Sequence, residues 1–329
     1  MKKDERKVYF NGRIIPESQA RLSIYDSALM FGDMVFEMTR SFNKVQFRLR
    51  DHLERLYASM KYVRIDPGMS MDEMERHVQE VIDLNDPLFE EDDEHRVMIN
   101  VSRGLLSIYQ DVVGAEKGPN VIIADFPLRW TVASMGPLYD TGINVVIPSQ
   151  RAIPASLLEP KVKNRSRLHY QMANIEVSQI AGANNWALLL DPDGFIAEGT
   201  GDNVFLVKDG RLFTPEGRNI LRGISRKHIM EELAPKMGIP CAERNLELYD
   251  ILNADEAFFT GTPFCILPIT SVQGVRLGDG KMGPVTRGLL DQWGEDVGVD
   301  IVAQIRKFGK SRKSGIRSGP SPYSFRPGL

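Results

Sequence analysis

The feature that most constrains this chain is a series of short apolar segments separated by turn-forming residues, without a regular alternation of strands and helices. Asn-Gly and Gly-Pro pairs, such as Asn11-Gly12 and Gly136-Pro137, mark the turns between them. Short apolar segments bounded in this way are typical of β-strands. Because helical patterns interrupt them at irregular intervals, the sequence predicts an α+β fold and not a doubly wound parallel sheet.

The spacing of apolar residues predicts the individual elements. Leu53, Leu56 and Met60 recur at helical spacing and indicate one buried helix face. Arg55 lies outside that face. Predicted helices span residues 50–63, 72–84, 165–180 and 225–236. Predicted strands lie in the segments VYFNGR, MVFEMTRSF, VQFRLR, VMINVS, NVIIADFP, INVVIP, NWALLLD, GFIAEG, NVFLVKDG, RLFTP and EAFFTGT.

Turn-forming residues near Gly136 and Gly142 divide the chain into a smaller N-terminal α/β domain over 1–140 and a larger C-terminal domain over 141–305. The last residues, 306–329, carry seven Lys or Arg, no acidic residue and much Ser, Gly and Pro. Such a composition predicts a disordered basic tail.

Composition excludes several classes of protein. The net charge of −3 gives no general case for binding nucleic acid, and no segment approaches the ~20 apolar residues that span a membrane. Cys241 and Cys265 have no ligand neighbours at metal-binding spacing, so no metal site is expected. The N-terminal residues lack the apolar core of a secretory signal, and a reduced, cytoplasmic location is expected. The acidic run at residues 90–94 is predicted to be a solvated loop.

The common hydrolase and nucleotide-binding motifs are absent from the sequence: GxSxG, the P-loop, HExxH and a GxGxxG that follows a strand. The five histidines are scattered, and His52 and His169 are predicted to be surface or helix-capping residues. No metal-dependent or serine-based hydrolase is therefore indicated.

Four isolated features combine into one chemistry if they surround an anionic, electron-withdrawing ring. Lys163 precedes a predicted helix, where partial burial would favour a nucleophilic amine, and Glu198 follows a strand as a carboxylate that could protonate a pyridine nitrogen. Ser225 begins a helix whose free N–H groups favour a phosphate, and Thr262 adds a hydroxyl in an open turn. Each feature alone has a structural alternative: a solvated lysine, a turn acid or an N-cap.

The order of these features resembles the class IV aminotransferases, the group that includes branched-chain aminotransferases, D-amino-acid aminotransferases and aminodeoxychorismate lyases. The resemblance covers roughly residues 8–300. It is carried by the segments VYFNGRIIP, MFGDMVFEMTR, FRLRDHLERLYAS, KNRSRL, FIAEGTGDNVFLV, ILRGISR and FFTGTPFCILPI, in this order. The resemblance implies a two-domain D-amino-acid-aminotransferase-like fold, known as fold type IV, in a homodimer, with pyridoxal 5′-phosphate (PLP) bound by the larger domain.

The resemblance also implies the role of the lysine. Lys163 would hold the cofactor as a Schiff base and then move a proton between the substrate and the cofactor. Lys161 is the alternative. Lys163 is preferred because the family pattern places Ser or Asn three residues after the lysine and Leu five residues after it, as in Ser166 and Leu168.

Glu198 would pair with the pyridine nitrogen and Leu221 would pack against the ring. The phosphate would be held by charge, backbone N–H and hydroxyl contacts from Arg55, Ile224, Ser225 and Thr262.

Recognition of the substrate is less uniform across the family. Phe36 resembles the apolar pocket of branched-chain enzymes, and Arg40 and Arg103 are candidates for carboxylate contacts, although Arg40 has the alternative of an outer strand face. Val101 stands where those enzymes have Tyr, and Pro263 has no N–H to donate to a substrate carboxylate. The arginine and histidine typical of D-amino-acid enzymes are missing.

The sequence therefore predicts transamination between an amino acid, branched-chain or otherwise hydrophobic and of L configuration, and a 2-oxo acid such as 2-oxoglutarate. Three alternatives use the same cofactor and lysine: an aminodeoxychorismate lyase, an amine transaminase and a D-amino-acid transaminase. A fourth is a non-enzymatic protein that retains the fold.

Overall fold

The computed structural model describes residues 5–112, 114 and 117–311. These residues form two compact units. The first contains the described residues of Met1–Trp130 together with Val162–Arg167, and the second contains those of Thr131–Lys161 and Leu168–Leu329. The division of the sequence into domains at residues 140 and 141 stays a prediction.

The first unit contains a five-stranded antiparallel sheet, in the order β2-β1-β7-β6-β3, and two long helices. Its elements are β1 (Lys7–Phe10), β2 (Arg13–Pro16), α1 (Ser27–Phe31), β3 (Met34–Met38), β4 (Ser41–Phe42), β5 (Val45–Gln46), α2 (Leu49–Val63), α3 (Met71–Asn85), β6 (His95–Ser102) and β7 (Asn120–Pro127). Strands β4 and β5 form a separate small hairpin. The main part of this unit ends at Trp130, within the short helix α4 (Arg129–Val132).

Local sequence explains these elements. Asn11 and Gly12 both have positive φ, of 49° and 83°, which is the backbone of a two-residue turn between twisted strands. Ser70 and Glu73 form a reciprocal capping box at the start of α3. Helices α2 and α3 bury one face each in the core of the unit, which also contains the inward-facing residues of β6. The helix and strand residues with no exposed surface include Leu53, Leu56, Met74, Val78, Val97 and Ile99.

The second unit is built on a nine-stranded mixed sheet in the order β10-β9-β8-β15-β14-β11-β12-β13, with β16 paired to β15. Its strands are β8 (Ile143–Val146), β9 (Asn185–Leu190), β10 (Ile196–Gly199), β11 (Asn203–Lys208), β12 (Arg211–Pro215), β13 (Cys241–Arg244), β14 (Glu256–Gly261), β15 (Cys265–Val272) and β16 (Val275–Arg276). Its helices are α5 (Leu138–Thr141), α6 (Leu168–Ser178), α7 (Ile224–His228), α8 (Ala234–Lys236), α9 (Leu248–Leu252), α10 (Pro284–Val297) and α11 (Ile301–Ser311). A π-helical turn (Ile229–Leu233) joins α7 to α8.

The predicted α+β class is confirmed, and helices occupy three of the four predicted positions closely. The helix predicted over 165–180 instead begins at Leu168. Its expected first residues belong to Val162–Arg167, which pairs with β3 of the first unit. Backbone hydrogen bonds to a strand have thus replaced the first helical turn.

The basic tail was expected to begin at residue 306, but α11 continues to Ser311. Ile305 and Phe308 have no exposed surface, so the apolar face of α11 keeps these residues helical. The rest of the predicted tail, 312–329, lies outside the described residues.

Part of the acidic run is buried, contrary to the prediction of a solvated loop. Asp93 and Glu94 are 1% and 4% exposed. Glu94 accepts hydrogen bonds from the backbone N–H groups of Asn43 and Lys44, at 2.8 and 3.0 Å, and Asp93 pairs with Arg129. These partners satisfy the two carboxylates, which a charge count along the sequence cannot reveal.

Within the described residues, no helix is long and apolar enough to cross a membrane. The same part of the chain contains no cluster of His, Cys, Asp or Glu that could hold a metal ion.

Candidate active site

The segment that contains Lys163 is held against β3 of the first unit by backbone hydrogen bonds. The N–H of Phe36 donates to the carbonyl of Lys163 at 2.9 Å, and the N–H of Arg165 donates to the carbonyl of Met34 at 2.8 Å. The N–H of Lys163 also donates to the hydroxyl of Ser59 on α2, at 3.4 Å. The backbone around the lysine is therefore fixed from both a strand and a helix.

The ring of Phe36 gathers three cationic side chains. The Nζ atom of Lys163 lies 5.1 Å from the ring centroid, and the guanidinium carbons of Arg165 and Arg167 lie 3.7 and 5.6 Å from it. Phe36 is buried, so the cation–π contacts form in a partly desolvated place. Burial, and then the charge of Arg167, lower the pKa of Arg165 to about 10. The structure thus brings the predicted nucleophile and the predicted substrate-pocket residue together.

Lys161, the alternative nucleophile, has a different environment in the second unit. Its amine lies 2.6 Å from the carboxylate of Glu159 and 3.2 Å from the carbonyl of Arg218, to which it donates. The amine of Lys161 is thus engaged by a carboxylate and a carbonyl and makes none of the contacts with Phe36 described for Lys163. This contrast favours Lys163.

Arg55 makes a two-pronged ion pair with a buried carboxylate. Its Nε and one terminal nitrogen donate to Glu37 at 2.6 and 2.8 Å, and His52 donates to the same carboxylate at 2.8 Å. Burial alone would raise the pKa of Glu37, but the charge of Arg55 and the hydrogen bond from His52 outweigh it and lower the pKa. His52 is 1% exposed, so the prediction that it is a surface or capping residue is wrong. Its ring instead donates a hydrogen bond to the buried carboxylate of Glu37.

The two arginines proposed for substrate carboxylates have other contacts. Arg40 is 1% exposed, stacks 3.8 Å from the ring centroid of Phe42 and donates to the carbonyl of Ser41. This burial excludes the alternative of an outer strand face. Arg103 pairs with Asp33 through both its Nε and a terminal nitrogen, and donates to backbone carbonyls at the end of α2.

Glu198, at the end of β10 in the second unit, is held by three neutral donors. The hydroxyl of Tyr170 donates to one oxygen at 2.7 Å. The side-chain amide of Asn203 and the backbone N–H of Leu221 donate to the other, at 3.1 and 3.0 Å. The carboxylate is 5% exposed and its orientation is fixed.

Asn203 also ties Glu198 to the following loop, because its amide donates to the carbonyl of Leu221 at 2.9 Å. A Cβ atom at Gly223 would lie 2.1 Å from the side-chain oxygen of Asn203, so a larger residue there would displace the Asn203 side chain. Sequence reasoning did not assign a role to Tyr170 or Asn203. Asn203 lies inside the segment FIAEGTGDNVFLV and Tyr170 lies two residues after KNRSRL, so their positions beside the family resemblance were the signal in the sequence.

The start of α7 presents backbone donors without a capping side chain. Its N-cap, Gly223, has extended backbone and makes no side-chain cap, so Ile224 and Ser225 begin the helix with N–H groups directed out of its end. Thr262 and Pro263 lie in the turn between β14 and β15, where both are half-buried.

The donor groups of each unit fit the cofactor that the resemblance implies. In the first unit, the half-buried amine of Lys163 could bind a carbonyl carbon, and Arg55 supplies a cation. In the second, Glu198 offers a fixed carboxylate for a pyridine nitrogen, and α7 offers N–H groups and a hydroxyl for a phosphate.

Comparison with known proteins gives consistent relatives. The family model described as "Amino-transferase class IV" matches residues 34–272. A putative branched-chain-amino-acid aminotransferase of Methanocaldococcus jannaschii is 35% identical over 87% of this chain and 95% of its own length. A D-alanine aminotransferase of Bacillus licheniformis is 30% identical over 86% and 94%.

Solved structures agree. The Escherichia coli branched-chain amino acid aminotransferase superimposes with a TM-score of 0.78 at 30% identity, covering 89% of this chain and 94% of that one. A branched-chain amino acid aminotransferase from T.th., solved with pyridoxamine 5′-phosphate, gives a TM-score of 0.79 at 25% identity with the same coverage.

Proposed function

We propose that this chain, which belongs to the class IV aminotransferases and transfers amino groups between amino acids and 2-oxo acids, acts on branched-chain or other hydrophobic L-amino acids with 2-oxoglutarate as acceptor. The observation that supports this choice most directly is the buried ring of Phe36 beside Lys163. An apolar surface next to the nucleophile favours an apolar substrate side chain. The names of most of the similar proteins support the same choice.

We further propose that the chain uses PLP, as its family does. When bound, the cofactor supplies an electron-withdrawing ring that stabilises negative charge at the substrate's α-carbon. Lys163 would hold the cofactor covalently and, once released, take the proton from the substrate's α-carbon and deliver it to C4′ of the cofactor. The aromatic face of Phe36 and the hydrogen bonds to β3 would keep the amine in position.

The other proposed roles follow the contacts within each unit. Glu198 would keep the pyridine nitrogen protonated, and Leu221, whose N–H orients that carboxylate, would pack against the ring. Groups proposed to bind the phosphate are Arg55, Ile224, Ser225 and Thr262. Proposed contacts with the substrate come from Phe36, Arg40, Arg103 and Pro263.

Two further parts of the proposal concern the protein as a whole. We expect a homodimer, because the family resemblance implies one, and a cytoplasmic location, because the composition favours a reduced compartment.

The test is the ultraviolet-visible spectrum of the purified protein with PLP, recorded while L-isoleucine, L-glutamate, D-alanine and an (R)-arylamine are added in separate cuvettes. We expect the absorbance of lysine-bound PLP to convert to that of pyridoxamine phosphate with the two L-amino acids. Conversion by D-alanine alone would instead favour the function named for the Bacillus licheniformis relative, and conversion by the arylamine alone would favour an amine transaminase.

Two lysine variants make a matched pair for this test. Lys163→Ala should abolish both the absorbance of lysine-bound PLP and the conversion. Lys161→Ala should retain both, because its amine is already paired with Glu159. The reverse result would transfer the assignment to Lys161, and no change in either variant would contradict a lysine-bound cofactor at this segment.

A further inference from the structure

We infer that Arg165 binds the second carboxylate of a dicarboxylic substrate, that of glutamate or of the corresponding 2-oxo acid, beside Lys163. The inference rests on the proposed function and adds to it the residue that lets one site accept an acidic side chain.

Arg165 is built into the same short segment as the proposed nucleophile. It follows Lys163 by two residues, and its backbone N–H is fixed to the carbonyl of Met34 on β3. Its guanidinium carbon lies 3.7 Å from the ring centroid of Phe36, and the amine of Lys163 lies 5.1 Å from the same centroid. The guanidinium and the proposed nucleophile therefore belong to one short segment and contact the same aromatic ring.

The polar partners of Arg165 are neutral. Its Nε and one terminal nitrogen donate to the side-chain oxygen of Asn100, at 3.1 and 2.7 Å, and that terminal nitrogen lies 3.2 Å from the sulfur of Met98. In the part of the chain that the structure describes, no acidic side chain forms an ion pair with Arg165. Its pKa of about 10 reflects this environment, since burial lowers it first and Arg167 lowers it further.

Other arginines of the first unit differ in this respect. Arg55 is paired with Glu37, and Arg103 is paired with Asp33, each through two nitrogens. A half-buried guanidinium whose hydrogen-bond partners are neutral has lost part of its hydration without gaining a counterion from them. An anionic ligand would supply that counterion.

The contacts of Phe36 and Arg165 also indicate that the anion bound by Arg165 is the side-chain carboxylate of the substrate. In the proposed reaction, one site must accept an apolar side chain in one half-reaction and a carboxylate in the other. Phe36 offers the apolar surface, and the guanidinium carbon of Arg165 lies 3.7 Å from its ring centroid. Asn100, the cross-strand partner of Phe36, accepts hydrogen bonds from one edge of that guanidinium. Guanidinium has five N–H donors in a planar fork, so its other edge can bind a carboxylate when one arrives.

The experiment compares two amino donors that share an α-carboxylate and differ in the side chain. The rate of conversion of the PLP-loaded protein to its pyridoxamine form is measured with L-glutamate and L-leucine, for the wild type and Arg165→Gln. We expect kcat/KM for glutamate to fall by about 10- to 100-fold, the typical effect of a charge-assisted bidentate contact, and that for leucine to change by less than about threefold. Arg165→Lys should recover part of the glutamate activity.

Two controls separate this role from a structural one. Arg167→Gln removes the same charge from the same segment and should leave the ratio of glutamate to leucine rates unchanged. Binding of glutarate, a dicarboxylate that cannot react, should weaken in Arg165→Gln by a factor similar to the kinetic one, while 4-methylpentanoate should bind as it does to the wild type.

An equal loss with both donors, or no loss with either, would overturn the role of Arg165, even if the wild-type enzyme converts with both donors. A wild-type protein that fails to convert with any amino acid would overturn the proposed function itself, and the inference with it. The two failures are distinguished by the wild-type measurement alone.

Discussion

Glu37 in the first unit and Glu198 in the second are both buried, and each accepts three of the hydrogen bonds described above, but their partners differ in kind. Glu37 faces the cation of Arg55 and the imidazole of His52. Glu198 faces a tyrosine hydroxyl, an asparagine amide and a backbone N–H. The first carboxylate has its counterion within the fold, whereas the three donors described for the second are neutral.

We propose that this difference separates a carboxylate that stabilises the fold from one that contacts the cofactor. A buried carboxylate with an arginine partner contributes to folding only as a pair, and removal of either member leaves a buried charge. A carboxylate oriented by neutral donors can still attract a positive group from a ligand, such as a protonated pyridine nitrogen. The following substitutions test whether the two glutamates divide their roles in this way.

The largest effect on stability is expected from Glu37→Gln. The substitution removes the buried charge that pairs with the guanidinium of Arg55, and we expect the free energy of unfolding to fall by about 3–5 kcal/mol. Urea unfolding followed by circular dichroism at pH 7 measures this loss. A decrease of less than about 1 kcal/mol in the free energy of unfolding would contradict the stabilising role proposed for Glu37.

The pH dependence gives an independent check on the same variant. The pKa of Glu37 is lowered in the folded protein, so its ionised form adds stability above the unfolded-state value of 4.5 and this stability is lost as the pH falls below it. The stability gap between the wild type and Glu37→Gln should therefore narrow below pH 4.5, by at most about 1.4 kcal/mol for each pH unit. A gap that stays constant would contradict an ionised Glu37.

Glu198→Gln should show the opposite pattern. The amide keeps the shape: its oxygen can accept from Asn203 and Leu221 while its nitrogen donates to the hydroxyl of Tyr170, so the free energy of unfolding should change by less than about 1 kcal/mol. Loss of a charge directed at the cofactor should lower kcat by about 10²- to 10³-fold, measured as the rate of conversion to the pyridoxamine form. Full activity in this variant would refute the role proposed for Glu198.

A smaller effect is expected from Tyr170→Phe, which removes one neutral donor from Glu198. The loss of one hydrogen bond should lower kcat/KM by about fivefold, equivalent to about 1 kcal/mol. Tyr139→Phe is the matched control, since its hydroxyl donates to the backbone carbonyl of Phe264 at 2.8 Å in the same unit. Tyr139→Phe should lower the free energy of unfolding about as much as Tyr170→Phe does, but it should leave kcat/KM unchanged. An equal decrease of kcat/KM in both variants would indicate a general structural cause.

Much of the fold could be predicted from the sequence because periodicity and turn chemistry are local. The Asn11-Gly12 turn and the helices α2 and α3 follow from residues a few positions apart. The burial of Asp93, Glu94 and His52 could not be predicted, because their partners lie elsewhere in the sequence.

The candidate site shows the same limit. Short segments of the sequence predict roles for Lys163 and Glu198, but the positioning of Glu198 by Tyr170 and Asn203 depends on contacts across the fold. Arg165 carries no signal of its own in the sequence, where it is one of several charged residues near Lys163. Its neutral hydrogen-bond partners lie on β6, about 60 residues earlier in the chain, and only the fold brings them beside it.

The membership of Val162–Arg167 in the first unit has a consequence for biosynthesis. The other residues of this unit end at Trp130, so a ribosome must add about 30 further residues before the lysine-bearing segment can pair with β3. At roughly 5–20 residues per second, this delay lasts about 2–6 s. During that interval the nascent chain carries β3 with this side uncovered. The last backbone hydrogen bonds of the first unit thus form only after translation of the second has begun.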